Sequence, residues 1–376
     1  MKKVLYIFGT RPEAIKMAPL ILMMKSVTGF DVRVCVTAQH RTMLDQVLKF
    51  FNIRPDYDLN LMQPDQTLAD ITSHSIKGIS SVLSKEYDPD LVIVQGDTTT
   101  ALAGAIAGFY FKKKIVHIEA GLRSHDKFSP FPEEMNRVLI TRLADIHFAP
   151  TRQAYDNLLR EGIPQDMVFN VGNTSIDALF LGLNNLKTNG RTDIKDKFPY
   201  LSDRGRSILV TGHRRENFGA PLENICHALK EIAEKNEDVQ IIYPVHLNPN
   251  VLEPVRRILG HSDRIHLTEP LDYPYLIWLL NRSYLVVTDS GGIQEEAPAL
   301  GKPVLVMRDV TERMEGVDAG TAVLVGTNKE KLFTKCQQLL TDPSEYRKMA
   351  RSVNPYGDGN SCCRITSILQ NIYPPH

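Results

Sequence analysis

A chain of 376 residues is longer than one ordinary hydrophobic core organises and predicts two domains. Its 44 basic and 44 acidic residues cancel, which excludes an overall field favouring nucleic acid or an anionic membrane. The five cysteines, Cys35, Cys226, Cys336, Cys362 and Cys363, are odd in number and lack metal-type or disulfide-framework spacing, so a reducing, cytoplasmic setting without a bound metal is expected.

Along the chain, short apolar runs alternate with amphipathic helical stretches, the pattern of parallel sheets covered by helices. Lys2-Lys3 precede the apolar Val4–Phe8, but Arg11, Pro12 and Glu13 end that run too soon for a secretory signal, so it reads as a first strand. Further strands are expected at Val32–Thr37, Leu91–Gln95, Ile115–Glu119 and Ile146–Ala149. A second set follows at Ile208–Thr211, Gln240–Val245, Ile265–Leu267, Leu285–Thr288, Val304–Met307 and Ala322–Val325. The small-apolar run from Ala101 to Phe111 is far shorter than the roughly 20 residues of a membrane span. The expected fold is α/β, with two Rossmann-like doubly wound domains facing across a cleft. Residues 1–172 form the first and 173–353 the second, with the junction at the polar stretch Lys187 to Arg206 or slightly before it; 354–376 is a terminal helix for which packing on either domain is open, the return to the first being the expectation.

Ligands of such sheets bind beyond the carboxyl ends of the strands. The first strand ends in Gly9-Thr10-Arg11-Pro12-Glu13, with Lys16 about a turn into the following helix, and two cations at a helix start suit a phosphate. This is not a GxGxxG fingerprint, so no bound dinucleotide is expected. Leu91–Gln95 runs into Gly96-Asp97-Thr98-Thr99, and Ile115–Ile118 into Glu119, which sets Asp97 and Glu119 at one sheet edge. Glu133 and Glu134 open a helix, where acids also serve simply to complement the dipole. In the second half, Gly212-His213-Arg214-Arg215 and His246 close two strands. Asp88-Pro89-Asp90 mimics a metal-binding DxD motif but precedes its strand and so faces the wrong edge.

The segment from Val287 to Gly316 is the most informative. A strand stops at Asp289-Ser290-Gly291-Gly292 and enters a helix carrying Glu295 and Glu296, and the next strand leads to Arg308 and Arg313. Unpaired N–H groups and the dipole of a glycine-led helix start favour an anion. Cradle, carboxylates and arginines together point to a nucleoside diphosphate.

Read together, Gly9-Thr10-Arg11-Pro12-Glu13, Gln95-Gly96-Asp97-Thr98-Thr99, His117 to Arg123, Pro132-Glu133-Glu134, Gly212 to Glu216, Asp289 to Gly292, Thr311-Glu312-Arg313 and Asn354 to Gly359 closely resemble the non-hydrolysing UDP-N-acetylglucosamine 2-epimerases over essentially the whole chain. The resemblance implies a GT-B-like fold and a homodimer interconverting UDP-N-acetylglucosamine and UDP-N-acetylmannosamine for surface polysaccharide synthesis, without a cofactor. It implies that Asp97, Glu119, Glu133 and His213 are catalytic. Arg11, Lys16, Leu271, Tyr275, Leu276, Ser290, Gly291, Gly292, Glu296 and Arg313 would complete the substrate site. Leu276 stands where the family commonly has an aromatic against uracil, so the contact falls to Leu276 or to Tyr275. Gln39, His40, Gln66, Arg214 and His246 match a region where some members bind a second, activating UDP-N-acetylglucosamine, although Thr42 and Asp65 depart from that pattern.

The chemistry suits these groups. The hydrogen on carbon 2 is not next to a carbonyl, so the bond to UDP must break early and acidify it, which gives a glycal. Two carboxyl groups then serve the two faces of the ring, and sequence does not say which serves which. The competing readings are a hydrolysing 2-epimerase that releases UDP and free N-acetylmannosamine, a glycosyltransferase of the same fold, and a nucleotide-sugar sensor without turnover.

Overall fold

The computed structural model describes residues 1–38, 41–61, 63, 65–188, 193–201, 205–212 and 214–374. Two compact units emerge: Met1–Leu181 with Tyr356–His376, and Gly182–Pro355.

The first unit is built on β1 (Lys2–Phe8), β2 (Phe30–Val36), β3 (Tyr57–Asp58), β4 (Leu91–Gln95), β5 (Lys114–Ile118), β6 (Ile146–Ala149) and β7 (Val168–Asn170). They lie in the order β3-β2-β1-β4-β5-β6-β7, each neighbouring pair parallel. The second unit carries β8 (Arg206–Thr211), β9 (Val239–Pro244), β10 (Ile265–Thr268), β11 (Leu285–Thr288), β12 (Val304–Val306) and β13 (Ala322–Leu324), ordered β10-β9-β8-β11-β12-β13. These pairs are parallel too. Helices on both faces explain why the central strands read as unbroken apolar runs: Leu91 to Val94 and Leu285 to Val287 are fully buried.

All eleven strands expected from the sequence are present. Two edge strands, β3 and β7, were not foreseen; with two and three residues they show neither alternation nor an apolar run. Glu119 is not the last residue of β5, because its backbone turns into the left-handed region at φ +64 directly after Ile118. That turn takes the side chain out of the strand register.

Each sheet has a point where consecutive connections leave in opposite directions, between β1 and β4 in the first and between β8 and β11 in the second. The crevice at such a point is where open α/β sheets bind ligands. Three of these strands end in the loops 9–10, 96–98 and 289–290, and β8 ends at Thr211 just before Gly212, the same segments the sequence singles out. Gly9 has no room for a Cβ, which would lie 2.1 Å from Thr37 Oγ1 and 2.6 Å from Thr100 Oγ1, so the β1 loop can pass only as glycine.

The closing helix Ser361–Ile372 packs on the helix Arg11–Ser26 within the first unit. Asp177 accepts from Ser361 N and Cys362 N at 3.2 and 2.9 Å, which satisfies two otherwise orphaned donors of its first turn. Cys362 is buried there and Cys363 exposed. Among the described residues no helix is long and apolar enough to cross a membrane.

Candidate active site

In the first unit Lys16, a turn into the helix after β1, reaches both oxygens of Glu119 at 2.7 and 2.6 Å. The side-chain amide of Gln95, the last residue of β4, donates to the same carboxylate. Both members of the ion pair are largely buried. The ammonium that the sequence offered to a phosphate is therefore engaged by a carboxylate, and the pair acts as one nearly neutral unit.

Asp97 is partly exposed, with Arg137 Nη2 3.3 Å from its carboxylate. Burial raises its pKa; Arg137 and Lys16 pull it down, while Glu119 and Glu133 push it up. A carboxyl group held between a cation and two other acids is poised to exchange a proton. The two acids at the next helix start part company. Glu134 is buried and accepts from the backbone of Ser124 and His125 at 3.0 and 3.1 Å, so it closes the preceding turn. Glu133 is half-buried and lies within electrostatic reach of Asp97. Arg11 is half-buried at the first helical position. Arg123, conspicuous in the sequence, is tied to Glu161, Thr141 and its neighbouring carbonyl.

In the second unit the helix Gly291–Ala299 starts directly after β11 with Ser290 as its cap residue. Asp289 is fully buried and accepts from Arg214 N at 2.9 Å and from the Asn217 side chain at 3.2 Å. Arg313 Nε donates to Glu295 at 2.6 Å. Arg308 spans Glu216 and Glu312 at 3.0 and 2.6 Å, and Arg214 Nη2 lies 3.3 Å from Glu312. Burial opposes ionisation of Glu312, but Arg313, backbone donation and Arg308 outweigh it and hold the carboxyl at about 2. The arginines at this helix start are thus already embedded in carboxylates, which fixes their direction.

Glu296 is buried beside Tyr273 and Leu271 is buried nearby in sequence. Tyr275 packs edge-on against Phe198, with the Lys197 ammonium 4.0 Å from its ring centre, so its ring is committed to that segment. Of the residues matched to a second ligand, Gln66 donates to Leu61 O and accepts from Gln63 N within its own loop, and His246 accepts from Asn248 N. Gln39, His40 and His213 lie outside the described residues. Sequence reasoning missed Glu13, His117, Asn136 and Arg137 as partners of the Asp97 loop. Their contacts span 21 to 85 positions where a hydrogen bond is involved, and no local pattern encodes them. Among the described residues no group of three metal-ligating side chains occurs.

The family profile for UDP-N-acetylglucosamine 2-epimerase matches residues 23–370. The chain belongs to that family. The UDP-N-acetylglucosamine 2-epimerase of Salmonella typhimurium is 53% identical to it over 371 residues, covering 98% of both chains. Among solved structures, the UDP-GlcNAc 2-epimerase from Neisseria meningitidis bound to UDP-GlcNAc is 48% identical with a TM-score of 0.90, covering 98% of this chain and 100% of that one. The enzyme from Methanocaldococcus jannaschii in complex with UDP-GlcNAc and UDP is 37% identical with a TM-score of 0.79, covering 98% and 99%. The two doubly wound sheets are those of the GT-B-like fold shared by this epimerase family.

Proposed function

We propose that the chain is a non-hydrolysing epimerase that inverts carbon 2 of UDP-N-acetylglucosamine, giving UDP-N-acetylmannosamine and the reverse, through elimination and re-addition of UDP. The observation that carries this reading is the cluster of Asp97, Glu119 and Glu133 around the switch point of the first sheet, with Asp97 raised by burial among them. Simple binding of a nucleotide sugar does not call for three carboxyl groups there.

UDP is taken by Ser290, Gly291 and Gly292 through the helix start, with Glu296 on the ribose, Leu271 and Leu276 against the base, and Arg313 near the charge that develops on departure. Because Arg313 is aimed by Glu295, its guanidinium does not have to reorganise when that charge appears. Arg11 and His213 complete the positive side. As the anomeric bond breaks, the ring gains oxocarbenium character and a carboxylate removes the carbon 2 proton; a second carboxyl group returns one to the other face. Asp97 and Glu133 are the acid–base groups of this scheme. Glu119, locked to Lys16 and Gln95, suits a role in steering the sugar more than one in proton transfer. Each acid–base group contributes about 100- to 10,000-fold, so Asp97→Asn or Glu133→Gln should nearly abolish turnover.

The protein is further proposed to act in the cytoplasm as a homodimer. Phe109 and Tyr110, 57% and 68% exposed at the end of one helix, and Leu139 on the helix packed against it supply apolar surface of the kind a subunit contact covers. Activation through Arg214 and the residues grouped with it would show as sigmoidal rates.

The deciding experiment is a proton-NMR time course with UDP-N-acetylglucosamine in deuterated water. Solvent deuterium should appear at carbon 2 of both UDP-sugars while UDP stays bound to sugar at equilibrium. Epimerisation without the label would sink the elimination route, and accumulation of UDP with free N-acetylmannosamine would establish the hydrolysing reaction instead.

A further inference from the structure

The loop Gly96-Asp97-Thr98 is held at every residue by a buried side chain from a different element. His117, fully buried on β5, has Nε2 2.7 Å from Gly96 O. Asn136, buried on the helix Glu133–Leu143, donates to Asp97 O at 2.8 Å. Glu13, buried on the helix Arg11–Ser26, accepts from Thr98 Oγ1 at 2.7 Å through one carboxylate oxygen. Its other oxygen accepts from Gly9 N, Thr10 N and Thr10 Oγ1 at 3.1, 2.8 and 2.7 Å.

The chemistry of each contact fixes its direction. A carbonyl only accepts, so the proton of the neutral His117 ring sits on Nε2; burial, the largest influence, lowers this histidine to about 3 and keeps it neutral. Its Nδ1 is buried without a partner among the described residues. Each of the three elements also carries, or leads directly into, a residue of the proposed site: Arg11 and Lys16 beside Glu13, Glu119 directly after β5 and two positions after His117, Glu133 three before Asn136. The Asp97 loop is the hub through which the acids are set relative to one another.

We propose that His117, Asn136 and Glu13 are positioning residues that fix the Asp97 carboxyl for proton transfer at carbon 2. None of them acts on substrate; each acts through the loop backbone or Thr98. The proposal rests on the epimerase reading, and turnover by the wild-type enzyme tests that reading separately.

The test compares Asn136→Ala, His117→Phe and His117→Gln by steady-state kinetics in both directions, together with calorimetric titration of UDP. A displacement of the reacting carboxyl by about 1 Å costs on the order of 10- to 100-fold in rate, so kcat should fall by that amount in Asn136→Ala and His117→Phe. KM and UDP affinity should stay near wild type, because none of the residues proposed for UDP lies on the strand of His117 or the helix of Asn136. His117→Gln places an amide nitrogen close to the position of Nε2 and should recover most of kcat. The Asn136→Ala/His117→Phe double variant should lose less than the product of the single losses, since both act on one loop. Wild-type kcat in Asn136→Ala overturns the proposal, and so does a loss of kcat that is matched by a loss of UDP affinity. Should His117→Phe not fold, Asn136→Ala and His117→Gln decide alone.

Discussion

Lys16 and Glu119, 103 positions apart, form an ion pair in which one ammonium spans both carboxylate oxygens and little of either side chain meets water. A pair of this kind adds little net stability over an apolar substitute, but removing one partner strands the other charge. Lys16→Met should therefore destabilise the first unit by about 3 kcal/mol, while Lys16→Met/Glu119→Gln should regain most of it. Urea unfolding of the four proteins in the cycle measures this. Equal destabilisation of the single and double variants would show that Glu119 has other means of holding its charge.

At the scale of elements, β5 and β6 place His117 and His147 opposite one another in register. Burial dominates both, lowering His117 to about 3 and His147 to about 4. The unfolded chain takes up a proton on each near pH 6.5 and the folded chain does not, so stability is full above that pH and falls as the pH drops toward 4. Each histidine contributes a slope of up to about 1.4 kcal/mol per pH unit in that window. His147→Phe should flatten the acid side of a melting-temperature profile between pH 6 and 4 by one histidine's share; an unchanged profile would mean that His147 already protonates in the folded state. These elements also show what the sequence could disclose. On the neighbouring β4, Leu91 to Val94 reads as a buried strand because its apolar run is continuous, and Asp97 and Glu119 follow as strand-end residues by counting. The left-handed turn at Glu119, the pairing of β3 with β2 and of β7 with β6, and the capture of Lys16 depend on tertiary partners that leave no trace in a local window. For the same reason Glu134 looked equal to Glu133 in the sequence, although only one of the two closes the turn at Ser124 and His125.

At the scale of the whole molecule, the chain leaves the first unit after Leu181, builds the second, and returns at Tyr356. The returning segment is part of the first unit's core: Tyr356 is 1% exposed, and Cys362, Ile365 and Leu369 are fully buried. Burial of a large apolar side chain is worth about 1.5–3 kcal/mol, so Tyr356, Ile365 and Leu369 together account for roughly 5–9 kcal/mol. A whole domain has about 5–15 kcal/mol in all. A chain ending at Pro355 should therefore lose the first unit and keep the second. Limited proteolysis followed by mass spectrometry should find 182–355 surviving while 1–181 is digested, and turnover should vanish with the Asp97 loop. The milder variant Asp177→Ala removes the acceptor of Ser361 N and Cys362 N and should bring the first unit's melting down by several degrees without moving the second. If both units of the truncated chain resisted protease equally, the terminal helix would be an ornament on the first unit and not a member of its core.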